Sequence, residues 1–168
     1  MLILSTDFFQ QDALTLAPQL LGKILARKFD DGSVERFRIT ETEAYRGEED
    51  KACHAFKGRT QRTEVLYHQG GKIYVYLIYG MYWMLNIVSG KENEPQAVLI
   101  RGVEGSSGPG RVGKKLLLNK EFYGETLPSS RIWIEDDNVV PEYQTTPRIG
   151  IDYAEEWKDI EWRFILKY

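Results

Sequence analysis

Residues Ile73–Val88 read IYVYLIYGMYWMLNIV, the most apolar run of the chain, and two structures compete for it. A membrane-spanning helix needs about 18 to 20 consecutive apolar residues. This run is shorter, and Gly80 and Asn86 interrupt it. Tyrosines and β-branched residues fill much of it, a composition that favours strands. The expectation is a hairpin of two strands bending near Gly80, with Tyr74 and Tyr76 on one face of the first strand and Tyr79 beside the bend. Rows of tyrosine usually belong to a core, yet their faces also accept stacked nucleobases. A tyrosine at a hairpin tip has little core to join.

Upstream, residues 38–50 read RITETEAYRGEED. Strand alternation places Phe37, Ile39, Glu41, Glu43 and Tyr45 on one face, with the two carboxylates about 7 Å apart along the strand. Burying an unpaired carboxylate is costly. Two readings remain open: paired acid–base work at a glycosidic bond, or a structural ion pair with Arg38, Arg46 or Arg101.

The remaining elements follow from turn signals and periodicity. Asp12–Leu21 reads as a short helix stopped by Gly22, despite Pro18. Lys23–Phe29 and Ser33–Tyr45 form a strand pair about the DDG turn. Ala97–Gly102 is a strand ending near Arg101, Arg111–Phe122 a helix, and Ile132–Glu135, Arg148–Asp152 and Trp162–Leu166 short strands. The expected fold is α+β: a single mixed domain over residues 1–168, dominated by a curved antiparallel β-sheet with short helices and a protruding hairpin.

At 168 residues, 42% hydrophobic and 28% charged, the chain has the composition of an ordinary globular domain. MLILSTDFF lacks the basic start, apolar stretch and cleavage site of a secretory signal. The lone Cys53 excludes an internal disulfide and fits a reducing compartment. A cytoplasmic protein is expected. With two histidines and one cysteine, no metal site is expected; His54 and His68 are each read as structural. The net charge of −3 is segregated. Lys51–Thr63 carries four bases (Lys51, Lys57, Arg59, Arg62) and no acid. Ser106–Lys120 does the same with Arg111, Lys114, Lys115 and Lys120, whereas Glu121–Glu161 holds eleven acids against three bases. A basic face on an acidic protein follows, or merely a solvated surface. GPGRVGKK (108–115) reads as a phosphate-binding helix start or as a plain turn; it lacks the GxxxxGK[ST] spacing of a nucleotide-binding loop.

Taken in order, ITETEAY, HAFKGRTQRT, YVYLIYGMYWMLNIV, AVLIRGVE, GPG and RIGI resemble the alkyladenine (3-methyladenine) DNA glycosylases, from about Phe8 to the C-terminus. The resemblance implies a base-excision-repair enzyme that removes alkylated or deaminated purines from duplex DNA. It implies that Glu43 activates the water attacking C1′, with Arg101 beside that water and Glu41 as structural support. Tyr45, His54 and Tyr76 would sandwich the extruded base, Asn86 would crowd the amino group of normal guanine, and Ile151 would wall the pocket. Tyr79 would wedge into the duplex, and Arg59 and Arg111 would contact phosphates. No cofactor, no strand-cleaving lyase activity, no membrane partner and a monomer are expected, with nucleoid association if the source is bacterial. The chain departs from the family pattern in its acidity, in Lys114 and Lys115, and between IRGVEG and GPG, where SS replaces a longer charged segment. The rivals are a catalytically inactive damaged-DNA binder on the same fold and an unrelated small-nucleoside hydrolase.

Overall fold

The computed structural model describes residues 2–167. In chain order its strands are β1 (Leu2–Ile3), β2 (Ile24–Lys28), β3 (Val34–Arg46), β4 (Ile73–Ile78), β5 (Tyr82–Val88), β6 (Gln96–Val103), β7 (Ser106–Ser107), β8 (Ile132–Asp136), β9 (Tyr143–Thr146) and β10 (Arg163–Leu166). The α-helices are α1 (Ala13–Leu20) and α2 (Pro109–Lys115), and short 3₁₀ segments fill several connections. All strand pairs are antiparallel, in the order β1-β8-β2-β3-β6-β5-β4, with β10 added on β3, β9 on β10 and β7 on β6. The fold is α+β. No helix among the described residues is long and apolar enough to cross a membrane; Ile73–Val88 is the β4–β5 hairpin.

Strand β3 is the spine. Its first half pairs with β2, its second half with β6, and Glu41–Glu43 also pairs with β10. Between the pairs Ile39/Val103 and Thr42/Ile100 each strand carries two residues where regular alternation allows one: Thr40 and Glu41 on β3, Arg101 and Gly102 on β6. Such irregularities reset which way side chains point. Phe37 and Ile39 face the main core, and after the shift it is Ala44 that does so, together with Thr42, whose hydroxyl donates to the Ala17 carbonyl of α1 at 2.8 Å. Glu41, Glu43 and Tyr45 therefore share a face with one another but not with Phe37 and Ile39. The simple alternation expected for this strand is corrected by the bulge.

The sheet separates two environments. On one face Ala13, Leu16, Ala17 and Leu20 of α1, which lies against β3 and β6, share one core with Ile73, Val75, Leu85, Ile87, Val98 and Ile100. Asp12 caps that helix by accepting from the Leu14 N–H at 2.9 Å. Helix α2 lies against β5 so closely that a Cβ on Gly113 would stand 1.9 Å from the Trp83 carbonyl oxygen. On the opposite face Tyr74, Val88 and Ala97 meet Cys53, Ala55, Val65 and Leu66 from the loop between β3 and β4, with Tyr45 and Tyr76 packed alongside.

Two expected elements differ. The helix expected over Arg111–Phe122 is the shorter α2. Leu118 N–H donates to Gly113 O and Leu117 N–H to Lys114 O, while Leu117 takes φ 51°, the doubly bonded C-terminal cap that stops a helix. Arg148–Asp152 is not a strand: Arg148 is drawn into a buried ion pair and the Ile149 N–H is used by a carboxylate instead of a ladder partner. Tyr143–Thr146 supplies the neighbouring strand instead.

Candidate active site

A cavity of ≈ 590 Å³ opens on the face opposite α1, within the range that takes small ligands. One row of paired residues crosses five strands beneath it, Arg163, Glu43, Leu99, Asn86 and Tyr74, and the last three of these line it. With strands about 4.8 Å apart, Glu43 and Asn86 stand roughly 10 Å apart along that row.

Glu43 has no accessible surface and does not itself line the cavity. It lies behind three residues that do, and each of them holds its carboxylate. Tyr45 hydroxyl donates to Oε1 at 2.8 Å, Ile149 N–H donates to Oε2 at 2.8 Å, and Arg101 Nη1 lies 3.5 Å from Oε1. Burial, then the Glu43 charge, raises the Tyr45 phenol well above its ordinary pKa, so Tyr45 remains a donor. Glu41 is paired with Arg163 at 2.9 Å, away from the cavity.

The opposite wall is aromatic. His54 and Tyr76 touch edge to face with centroids 4.5 Å apart, and Tyr74 stands 5.3 Å from Tyr76. His54 Nδ1 lies 2.6 Å from the Tyr74 hydroxyl. Burial, assisted by the charges of Arg62 and Lys57, lowers the His54 pKa to about 4, so the ring is neutral at physiological pH. Burial pushes the Tyr76 hydroxyl up to about 12. Asn86 is buried at the floor, and its Nδ2 has no hydrogen-bond partner. An orphaned donor on a cavity wall is suited to an acceptor carried by a ligand.

Behind the site, Arg148 and Asp50 form a fully buried bidentate ion pair, at 2.6 and 3.0 Å. Arg148 also donates to the Ala44 carbonyl at 3.0 Å, and its guanidinium carbon lies 4.9 Å from the Tyr45 ring centroid. Being adjacent to Ile149, it anchors the backbone N–H that Glu43 accepts.

At the rim, Tyr79 is 88% exposed. Tyr79 and Gly80 have φ 54° and 65°, and Met81 N–H donates to Ile78 O, the features of a type I′ hairpin turn. A left-handed conformation is costly for an aromatic residue, so the turn holds Tyr79 under local strain. Arg62, Arg101 and Arg111 line the cavity. Arg59 does not; it is held in a two-bond pair with Glu64. That pair lowers the Glu64 pKa to about 2.

The fold thus gathers Tyr45, His54, Tyr76, Asn86, Arg101, Arg111, Ile151 and Tyr79 around one cavity, sets Glu43 just beneath it, and leaves Arg59 outside. Sequence reasoning missed the Arg148–Asp50 pair, the backbone of Ile149 and the placement of Arg62. Arg148 sat within the RIGI motif; Asp50 was hidden in a run of acids. Among the described residues no group of three or more His, Cys, Asp or Glu is placed to hold a metal ion.

The family model for methylpurine-DNA glycosylase (MPG) matches residues 7–106 and 104–168. The match divides where β6 runs through β7 into α2, the connection at which a shortened segment is expected. Among curated proteins, one from Psychrobacter cryohalolentis is 41% identical, covering 97% of this chain and 91% of its own length. Another from Methanocella arvoryzae is 42% identical over 96% and 91%, and one from Chlamydia felis is 40% identical over 95% and 93%. Each bears the name "Putative 3-methyladenine DNA glycosylase". With both parts of the family model and relatives of this similarity spanning nearly its whole length, the chain belongs to the methylpurine-DNA glycosylase family.

Proposed function

We propose that this protein is a monomeric, monofunctional DNA glycosylase that flips alkylated or deaminated purines, such as 3-methyladenine, 7-methylguanine, hypoxanthine and ethenoadenine, out of duplex DNA and hydrolyses the N-glycosidic bond. The observation that carries this reading is the buried Glu43 carboxylate, set beneath an aromatic cavity and held by Tyr45, Ile149 and Arg101. A duplex hides its bases, so the nucleotide must be extruded, at a cost of a few kcal/mol that is least for damaged bases. Tyr79, presented on its strained turn, fills the vacated space. The base enters between Tyr45 and the His54–Tyr76 wall, over Leu99 and Asn86, and Ile151 closes the side. The Asn86 amide crowds the exocyclic amino group of normal guanine.

Glu43 then takes a proton from the water that attacks C1′. Two of the roughly four acceptor positions of its carboxylate are filled by hydrogen bonds, leaving capacity for one water. No solvent reaches Glu43 in the geometry described, so nucleotide binding must shift Ile149 or Arg101 enough to admit it. Arg101 lies against the carboxylate and Arg111 contacts a phosphate; Arg59 contacts another after releasing Glu64. Cationic alkylated bases are good leaving groups, which lets one general base suffice. No lysine lines the cavity, which supports hydrolysis without lyase chemistry. A second reading, an inactive damaged-DNA binder, predicts affinity without release of base.

Incubating the protein with duplex oligonucleotides holding one hypoxanthine or 7-methylguanine, then cleaving abasic sites with alkali, tests the proposal. Strand breaks should appear only after alkali. Tight binding without alkali-labile sites on any lesion overturns it.

A further inference from the structure

One cation of the cavity, Arg62, has no part in the glycosylase chemistry proposed for Glu43, Arg101 and Arg111. Three arginines and no acidic side chain line the cavity. Arg101 faces Glu43, and neighbouring Arg59 is neutralised by Glu64. No ion pair among the described residues involves Arg62, which lies on the aromatic wall with its guanidinium carbon 5.3 Å from the Tyr76 centroid. The chemistry of the leaving base makes that position informative. In a neutral purine such as hypoxanthine, breaking C1′–N9 leaves both bonding electrons on the base, which departs with negative charge. In N7-methylguanine the same electron pair cancels a positive charge already present. The residues of the cavity offer no acid for the first case: Tyr45 and Tyr76 are weak acids, and His54 is neutral.

We propose that Arg62 is a specificity-determining residue: its unpaired charge, beside Tyr76, stabilises the electron pair left on a departing neutral purine and disfavours purines that already carry positive charge. The inference rests on the glycosylase reading. In the step proposed, the water oxygen bonds to C1′, its proton passes to Glu43, and C1′–N9 breaks with its electrons going to the base. The purine anion is held by Arg62 until solvent protonates it. Arg62 is itself exposed, and even at the dielectric of a protein surface a charge a few ångströms from the base has the strength needed for a tenfold effect. A cationic base, by contrast, competes with the guanidinium for the same aromatic wall.

Single-turnover release of hypoxanthine and of 7-methylguanine, at saturating protein, should be compared for wild type, Arg62→Gln and Arg62→Lys. Arg62→Gln is expected to slow hypoxanthine release about tenfold while leaving 7-methylguanine release unchanged or a few-fold faster, and Arg62→Lys to keep most of the wild-type ratio. Equal loss on both lesions makes Arg62 a phosphate contact and overturns the proposal; an unchanged ratio does so as well. Wild type that releases neither base defeats the glycosylase reading itself, so the two failures are distinguishable.

Discussion

Arg101 stands 3.5 Å from the Glu43 carboxylate because β3 and β6 are irregular at the same place. Each strand spends two residues between consecutive core pairs, so Thr42 and Ile100 return to the core while Glu43 and Arg101 turn to the opposite face together. A single irregularity would have broken the pairing register; two matched ones preserve it and carry a carboxylate and a guanidinium to the same spot.

Replacing Glu43 with Gln keeps the size of the side chain and removes the carboxylate proposed as the base. Single-turnover excision of hypoxanthine should fall about 10²- to 10⁴-fold, while affinity for lesion-bearing duplex stays close to wild type. A variant that excises as fast as wild type rules out Glu43 as the general base.

At the hairpin tip, stability and binding should move in opposite directions. Tyr79 is exposed and left-handed, so its ring contributes little burial and its backbone is strained. Tyr79→Gly should stabilise the fold by about 0.5–1 kcal/mol, raising Tm by a few degrees. The same change should weaken binding to lesion duplex, measured by fluorescence anisotropy. Unaltered binding excludes the wedge.

The Arg148–Asp50 pair is fully buried. Asp50→Asn leaves a guanidinium without a counter-charge, and breaking a buried pair in this way costs roughly 3–5 kcal/mol. Urea denaturation should show that loss. Excision should drop in parallel, because Arg148 braces Tyr45 and Ile149, two of the three groups holding Glu43.

His54 carries a pH signature. Its folded pKa of about 4 lies below the ordinary 6.5, so the unfolded chain binds the proton more readily. The groups facing the ring are Tyr74, Tyr76, Arg62 and Lys57, and none is an acid that would rescue the cation. This contribution is complete above pH 6.5 and is lost as pH falls to about 4, by on the order of 2 kcal/mol after allowing for partial solvent contact. His54→Gln should flatten this part of the stability profile between pH 7 and pH 4.5. An equal slope in the variant would assign the acid sensitivity to other groups.

The hairpin was legible because strand composition, a central glycine and insufficient length for a membrane span all appear within sixteen consecutive residues. Tyr74, Tyr76 and Asn86 fell on the cavity side of β4 and β5, and Ile73, Val75, Leu85 and Ile87 on the core side, since no bulge interrupts that pair. The ETEAY strand defeated the same reasoning. Its alternation was projected through Thr40–Glu41, where only a neighbouring strand reveals the extra residue. The helix after Gly108 was overextended because Lys114–Leu118 has ordinary helical composition, whereas its end depends on the left-handed Leu117.

By itself, then, the chain determined which residue types were available and how they alternate along each uninterrupted strand, since both depend only on near neighbours. Tertiary structure alone decided that Glu43 faces the cavity side instead of the α1 core, that Arg101 reaches it, and that Arg148 meets Asp50 across 98 positions. Those outcomes depend on pairing register and on neutralising charge in a dry interior, which are properties of segments brought together by folding.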